Sequence, residues 1–196
     1  AAVKEYEEWG TGHGMDKWAR CFDCGQSFHG PVVLALGWAC WKTYVGRREM
    51  DSNRANAMEL LGFALHRNGK SEAALRVFEA VLAWSLKYNR ADEETIIGSK
   101  CNIAGCLTEL GRQDEALALT RSIYDRGVVV RGASHERTIA CGTNHAISLI
   151  DLKRWDEATT FLNEVLPVAR RSLGANHNQT LRLGQSLAAA LNSNPE

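Results

Sequence analysis

The sequence has no excess of charge of either sign. Its 196 residues include 23 Lys and Arg against 23 Asp and Glu, so the formal net charge at pH 7 is zero. A basic surface is what concentrates nucleic acid or an anionic membrane around a protein. We therefore expect neither of them among the partners.

The sequence also lacks a long hydrophobic run. The longest apolar stretch is Pro31–Trp41 (PVVLALGWACW), which is far shorter than the roughly 20 residues that cross a bilayer. We predict that it packs inside the protein and that there is no direct membrane insertion. The first residues, AAVKEYEEWG, have neither the basic start nor the apolar middle of a secretory signal. The sequence begins at Ala1 instead of Met, which is compatible with an excerpt or a processed form of a longer protein.

A dense cysteine framework of the kind that cross-links small secreted domains is missing as well. The six cysteines are widely spaced: Cys21, Cys24, Cys40, Cys101, Cys106 and Cys141. This spacing indicates a reducing compartment, the cytoplasm or another intracellular one. We expect the last three to behave as small buried hydrophobic residues.

Short motifs with a defined catalytic geometry are absent too. The sequence has no G-x-S-x-G, no G-x-x-x-x-G-K-[ST] and no H-E-x-x-H. Cys101 and His145 could be paired on paper, but a cysteine nucleophile needs an electropositive setting that the sequence does not indicate. We predict that the chain is not an enzyme.

What the sequence does have is an internal repeat of 42 residues. The segment Gly69–Leu75 recurs as Gly111–Leu117 and as Lys153–Thr159. Apolar residues three or four apart on both sides of a short polar break predict two amphipathic helices, A and B, in each unit. Small residues recur on both helices, at Gly62, Ala104 and Ala146 on helix A and at Ala74, Ala116 and Ala158 on helix B. We expect these to face one another where the two helices cross, and Gly69 and Gly111 to end helix A in the left-handed conformation.

These features resemble the tetratricopeptide repeat. The N-x-A triplets at 102–104 and 144–146, and the G-A-x-H-x-x-T loops at 132–138 and 174–180, are similar to the kinesin-light-chain type. The resemblance covers roughly residues 52–192 and implies an all-α, right-handed solenoid of helix-turn-helix repeats. We expect this array to occupy residues 51–196, after a small Cys- and Trp-rich segment at 1–50.

In such an array the A helices line a concave groove that binds a peptide or a partner protein. Counted by register, the predicted peptide-binding residues are Asn102, Asn144, Glu109, Asp151, Phe63 and His66. The resemblance implies that Asn102 and Asn144 contact the ligand, since an amide both donates to and accepts from a peptide backbone. The alternative is that both asparagines bridge neighbouring helices or face water.

The N-terminal segment contains a C-x-x-C at Cys21 and Cys24, followed by His29 and Cys40. Four Cys and His side chains are what tetrahedral zinc requires, and the segment resembles a treble-cleft or MYND-like zinc module. One structural zinc ion on these residues is one interpretation, with His13 as a substitute for His29. The other is three reduced cysteines in a Trp-rich pack.

Two functions follow from the sequence. The first is a non-catalytic scaffold that binds a peptide or a protein partner in the groove of the repeats. The second is a structural subunit of a larger assembly, held by the repeat surface and the Trp-rich N-terminal segment. A contiguous apolar patch on the surface would favour the second function.

Overall fold

A computed structural model describes residues 18–19, 24, 26–88 and 92–193 of the chain. These residues form eight α-helices: α1 (Pro31–Tyr44), α2 (Ser52–Arg67), α3 (Ser71–Lys87), α4 (Glu93–Glu109), α5 (Gln113–Arg131), α6 (Glu136–Asp151), α7 (Trp155–Leu173) and α8 (Asn178–Ser193). They divide into two compact units, the first with α1–α3 and the second with α4–α8. No helix within the described ranges is long and apolar enough to span a membrane.

The turn after each A helix takes the conformation that its sequence predicts. Gly69 has a φ of 70° and Gly111 a φ of 72°, which is the left-handed region that glycine adopts without steric cost. At the same place in the third repeat Lys153 has a φ of 58°. The turn geometry is therefore kept even where the residue has a Cβ that opposes it.

The G-A-x-H-x-x-T loops supply the side chains that cap the start of the next A helix. Nδ1 of His135 accepts a hydrogen bond from the backbone N–H of Arg137 at 3.1 Å, and His177 does the same for Gln179 at 3.2 Å. The buried hydroxyl of Thr138 donates to the carbonyl of Gly127 at 3.2 Å. The two histidines therefore cap the starts of α6 and α8, whereas Thr138 joins the start of α6 to the last turns of α5.

The first repeat lacks this loop motif and starts its next helix in another way. The carboxylate of Asp92 accepts a hydrogen bond from the backbone N–H of Thr95 at 2.7 Å. Aspartate is among the preferred residues at this capping position. The loop sequence can therefore change between repeats without loss of the cap.

The small residues at the helix crossings are buried and tightly packed. Ala74 and Ala158 have no solvent exposure, and Ala116 is 1% exposed. A Cβ built on Gly62 would lie 2.7 Å from the ring of Phe78. The close approach of helices A and B that the sequence predicts is thus present between α2 and α3.

Helix α1 lies one repeat step before α3. Moving the span of α3 back by the 42-residue period gives residues 29–45, which nearly coincide with α1. Helix α1 packs along α2, just as α5 packs along α6 and α7 along α8. A helix in the position of helix B thus precedes the first repeat, although its sequence carries no repeat motif.

The division into compact units falls between residues 91 and 92, later than the predicted domain boundary at residue 50. Compactness does not measure whether a segment folds on its own. The division into 1–50 and 51–196 therefore stays a prediction.

Candidate partner-binding face

One asparagine is the exposed exception on a buried helix. From Thr138 to Ile150, every residue of α6 is buried or half-buried except Asn144, which is exposed. The backbone carbonyl of Asn144 accepts a hydrogen bond from the hydroxyl of Ser148 at 3.1 Å. Its amide side chain therefore projects to solvent from a helix that packing holds on its other sides.

The same pattern occurs on two helices of the second unit. Asp151 is exposed and follows Asn144 by seven residues, while exposed Glu109 follows half-buried Asn102 by the same spacing. Seven residues are nearly two helical turns, so each pair shares one helix face, with about 10 Å of rise between its members. Helices α4 and α6 each present an amide and a carboxylate in the same order.

These two helices are neighbours in the second unit. The thiols of Cys101 on α4 and Cys141 on α6 are hydrogen-bonded to each other. Both also pack in one apolar cluster with Ile97 and Ala104. Since Asn102 follows Cys101 directly and Asn144 lies one turn beyond Cys141, the structure brings four of the predicted residues onto adjacent helices.

The other two predicted binding residues lie on α2 in the first unit. Phe63 is 43% exposed, and its ring packs edge-on against Phe78 with 5.3 Å between centroids. Phe63 also lines a cleft of about 440 Å³ together with Trp18, Glu59 and Leu60. Burial raises the pKa of the Glu59 carboxyl above its ordinary value. Half-buried His66 lies on the same helix but not among the residues that line this cleft.

The predicted zinc ligands are dispersed as far as they are described. Cys40 is fully buried on α1, Cys24 is exposed, and Nδ1 of His29 lies 3.0 Å from Nη2 of Arg67. Cys21 lies outside the described residues, as does His13. Within the described part of the chain, no group of three His, Cys, Asp or Glu side chains is placed to hold a metal ion. The four-ligand site stays a prediction.

Sequence reasoning missed a second cleft, of about 560 Å³, in the second unit. It is lined by His145 and Phe161 together with the charged side chains of Arg121, Arg154 and Glu157. Burial, and after it the nearby Arg121 and Arg154, lower the pKa of His145 to about 4.

The two residues that could be paired as nucleophile and base have different partners. Nδ1 of His145 lies 3.2 Å from the hydroxyl of Thr120, while Cys101 bonds to Cys141. The structure therefore does not assemble the Cys101–His145 pair.

Comparison with known proteins agrees with this architecture. The family model described as tetratricopeptide repeat matches residues 138–179, from α6 to the start of α8. No curated protein matches the chain significantly.

Solved structures of similar fold include two of a Podosopora anserina protein with nearly identical TPR-like repeats, provisionally assigned as a kinesin light chain. The first is 20% identical with a TM-score of 0.70 and covers 82% of this chain and 76% of that one. The second, a glutamine-to-methionine variant, is 18% identical with a TM-score of 0.67 and covers 98% and 82%. BtubC (BKLC) from P. vanneervenii is 14% identical with a TM-score of 0.67 and covers 82% and 65%. The fold is that of the all-α tetratricopeptide-repeat solenoids, with kinesin-light-chain-like proteins among its structural neighbours.

Proposed function

We propose that the chain is a non-catalytic scaffold that binds an extended peptide, or an extended segment of a partner protein, on the exposed face of its A helices. The observation that carries the proposal is the exposure of Asn144 on the otherwise buried helix α6. A polar residue at that place is not needed for packing, and its position repeats at Asn102.

The chemistry of the face suits a peptide backbone. An asparagine amide donates through its nitrogen and accepts through its oxygen, so it pairs with a peptide group whatever the ligand's side chains are. Glu109 and Asp151 add a carboxylate nearly two turns along each helix, which favours a ligand with basic or amide side chains there. The backbone contacts would position the ligand, and the carboxylates would select among sequences.

The first unit offers a second contact of a different kind. The cleft that Phe63, Leu60 and Trp18 line is apolar, with the half-buried carboxylate of Glu59 among its walls. Exposed aromatic side chains in clefts are typical anchors for partner residues. We propose that this cleft takes an apolar side chain of the partner.

Hydrogen exchange tests where a ligand binds. Peptides that bind the full chain are selected from a random display library, and amide exchange is then compared with and without the best binder. We expect protection at the amides of α4 and α6 around Asn102 and Asn144, since the bound peptide excludes water there. Protection confined to the B helices α5 and α7 would contradict the proposed face.

The assembly-subunit alternative has an observation of its own. Among the described residues of the first unit, six large hydrophobic side chains are exposed: Val32, Trp38, Val45, Met50, Phe63 and Leu86. A contiguous patch of such side chains is typical of a surface that another protein covers. Size measurement of the purified chain separates the two functions, because a scaffold is monodisperse alone and an assembly subunit associates or purifies with partners.

The predicted zinc ion is tested by elemental analysis of protein purified without chelator. If Cys21, Cys24, His29 and Cys40 bind it, we expect one equivalent of zinc. Chelation should then loosen residues 13–45 and leave the repeats folded, because metal binding couples to the folding of the segment that supplies the ligands. Protein without metal would favour the reduced Trp-rich pack.

A further inference from the structure

Two cysteines of neighbouring repeats form a thiol pair beside a buried arginine. Cys101 is half-buried and Cys141 is 7% exposed, and both are free thiols hydrogen-bonded to each other. The side chain of Arg131, at the end of α5, is 7% exposed and lies beside Cys141. The pair joins α4 to α6, which are 40 residues apart in sequence at these positions.

The charges around the pair favour an anion at sulfur. Nε of Arg131 lies 3.2 Å from a carboxylate oxygen of Glu94, and Nη1 of Arg137 lies 3.2 Å from the other oxygen of the same carboxylate. The side chains of Arg137 and Glu94 are 73% and 39% exposed, so water screens their charges, whereas the side chain of Arg131 is 7% exposed. A Cys141 thiolate would balance the buried charge of Arg131.

The hydrogen bonding of Arg131 agrees with this charge balance. Its Nε and Nη2 atoms are buried and make no hydrogen bond of good geometry within the described residues. Apart from the ion pair with Glu94, these nitrogens lack a well-aligned acceptor, which is costly for a buried guanidinium. An anionic sulfur, or an oxygen bound to that sulfur, would provide the missing acceptor.

The two thiols differ in acidity for a physical reason. The hydrogen bond with Cys101 and, after it, the nearby Arg131 guanidinium lower the pKa of Cys141 below its ordinary value. The same hydrogen bond, with burial, raises the pKa of Cys101. Cys106, on the same helix as Cys101, has a pKa raised to about 11, chiefly by burial. Thiolate, not thiol, is the nucleophile.

We propose that Cys101 and Cys141 are a peroxide-sensitive modification site, at which Cys141 is the attacking sulfur and Cys101 is the resolving thiol. The Cys141 thiolate attacks one oxygen of a hydroperoxide, the O–O bond breaks, and the leaving alkoxide or hydroxide takes up a proton. This step gives a sulfenic acid on Cys141.

In the second step the sulfur of Cys101 attacks the sulfenic sulfur. The S–S bond forms, the S–O bond breaks, and water leaves with the proton of Cys101. Two thiols and one hydroperoxide thus give a disulfide, one alcohol or water, and one further water. The new bond fixes α4 to α6, the two helices that carry Asn102 and Asn144.

The first test is peptide mapping of the full chain after treatment with hydrogen peroxide and alkylation of the remaining thiols. We expect a linked peptide that contains Cys101 and Cys141, two hydrogen atoms lighter than its parts and released by dithiothreitol. Cys106 is the matched control and should remain open to alkylation after unfolding. The proposal would be overturned if Cys101 and Cys141 both stay reduced at peroxide concentrations that oxidise Cys106.

Serine variants test the two roles. In Cys101→Ser the sulfenic acid on Cys141 has no resolving thiol, so a cyclic 1,3-dione should trap it. In Cys141→Ser we expect Cys101 to react about tenfold more slowly, because it lacks the stabilised thiolate. The reverse order of rates would overturn the assignment of roles.

An arginine variant tests the cause of the reactivity. Arg131→Gln removes the buried charge and should slow trapping of the Cys141 sulfenic acid about tenfold in the Cys101→Ser background. An unchanged rate in folded protein would contradict the part given to Arg131. If Arg131→Gln does not fold, the two serine variants still decide the proposal, since each differs from wild type by one atom.

Discussion

The two units differ in how deeply their aromatic side chains are buried. In the second unit the ring of Phe161 is 5% exposed and packs edge-on against Tyr124, at 5.0 Å, and His145, at 4.9 Å. In the first unit Phe63 is 43% exposed and Trp38 equally so. The second unit uses its rings as core, and the first leaves some of them on its surface.

The reason lies in the regularity of the repeat. In the second unit the B helices α5 and α7 carry the repeat motif. Their small residues at the helix crossings let the A helices approach closely. In the first unit the helix in the preceding B position, α1, has Val32 where the later helices have Ala74, Ala116 and Ala158. Val32 is 51% exposed, whereas the three alanines are buried. In the first unit, exposed apolar surface therefore occurs where the sequence departs from the repeat.

Truncating one phenylalanine in each unit should give the largest difference in stability between the two units. Phe161→Ala should lower the free energy of unfolding of the second unit by about 3–5 kcal/mol, because it leaves a cavity between Tyr124 and His145. Phe63→Ala should cost the first unit about 1 kcal/mol, since much of its ring already contacts water. Denaturant titration with hydrogen exchange resolved by segment measures both. Equal costs would mean that the units do not differ in this way.

Acid should act on the second unit through His145. Burial holds its pKa at about 4, below the ordinary value of 6.5, so the unfolded chain binds the proton more readily than the folded one. The free energy of unfolding is therefore unaffected by His145 above pH 6.5 and falls as the pH drops from 6.5 to 4. At pH 4.5 we expect it to be lower by roughly 2–3 kcal/mol. Thermal unfolding of the wild type and of His145→Gln across this range checks it. If the stability of the variant depends on pH as much as that of the wild type, other groups cause the pH dependence.

The helix crossing in the first unit gives a smaller effect. A Cβ at Gly62 meets the ring of Phe78 at 2.7 Å, so Gly62→Ala should cost roughly 1–2 kcal/mol by overpacking. In the second unit the matching positions are Ala146 and Leu162, which share one cluster. Phe78→Leu should therefore relieve part of the cost in the double variant, which a double-mutant cycle measures. Strictly additive costs would show that the two side chains do not compete for the same space.

The sequence predicted the repeats well and the surfaces less well. The helix pairs, the left-handed turns at Gly69 and Gly111 and the crossing alanines follow from a 42-residue period, because the same packing needs recur at each step. Helix α1 was not predicted as part of that pattern, since its repeat position is kept by packing on α2 and not by the repeat's own residues.

The clefts and the thiol pair could not be read from the sequence for another reason. They join residues whose spacing matches no local motif, such as Cys101 with Cys141 or Trp18 with Phe63. Which side chains meet there depends on how successive helices pack. The register gave the helix faces, and only the packed structure shows which faces remain exposed.

The central claim is that Asn102 and Asn144 hold a ligand on the A-helix face, and binding calorimetry tests it directly. Each Asn→Ala change should weaken binding of a selected peptide by about 0.5–1.5 kcal/mol, the value of a typical hydrogen bond. The exposed Asn144 should do so with little change in thermal stability. Lys153→Ala, in the turn between α6 and α7, is the matched control and should leave binding unchanged. If the double asparagine variant binds every selected peptide with wild-type affinity, the A-helix face is not the binding site.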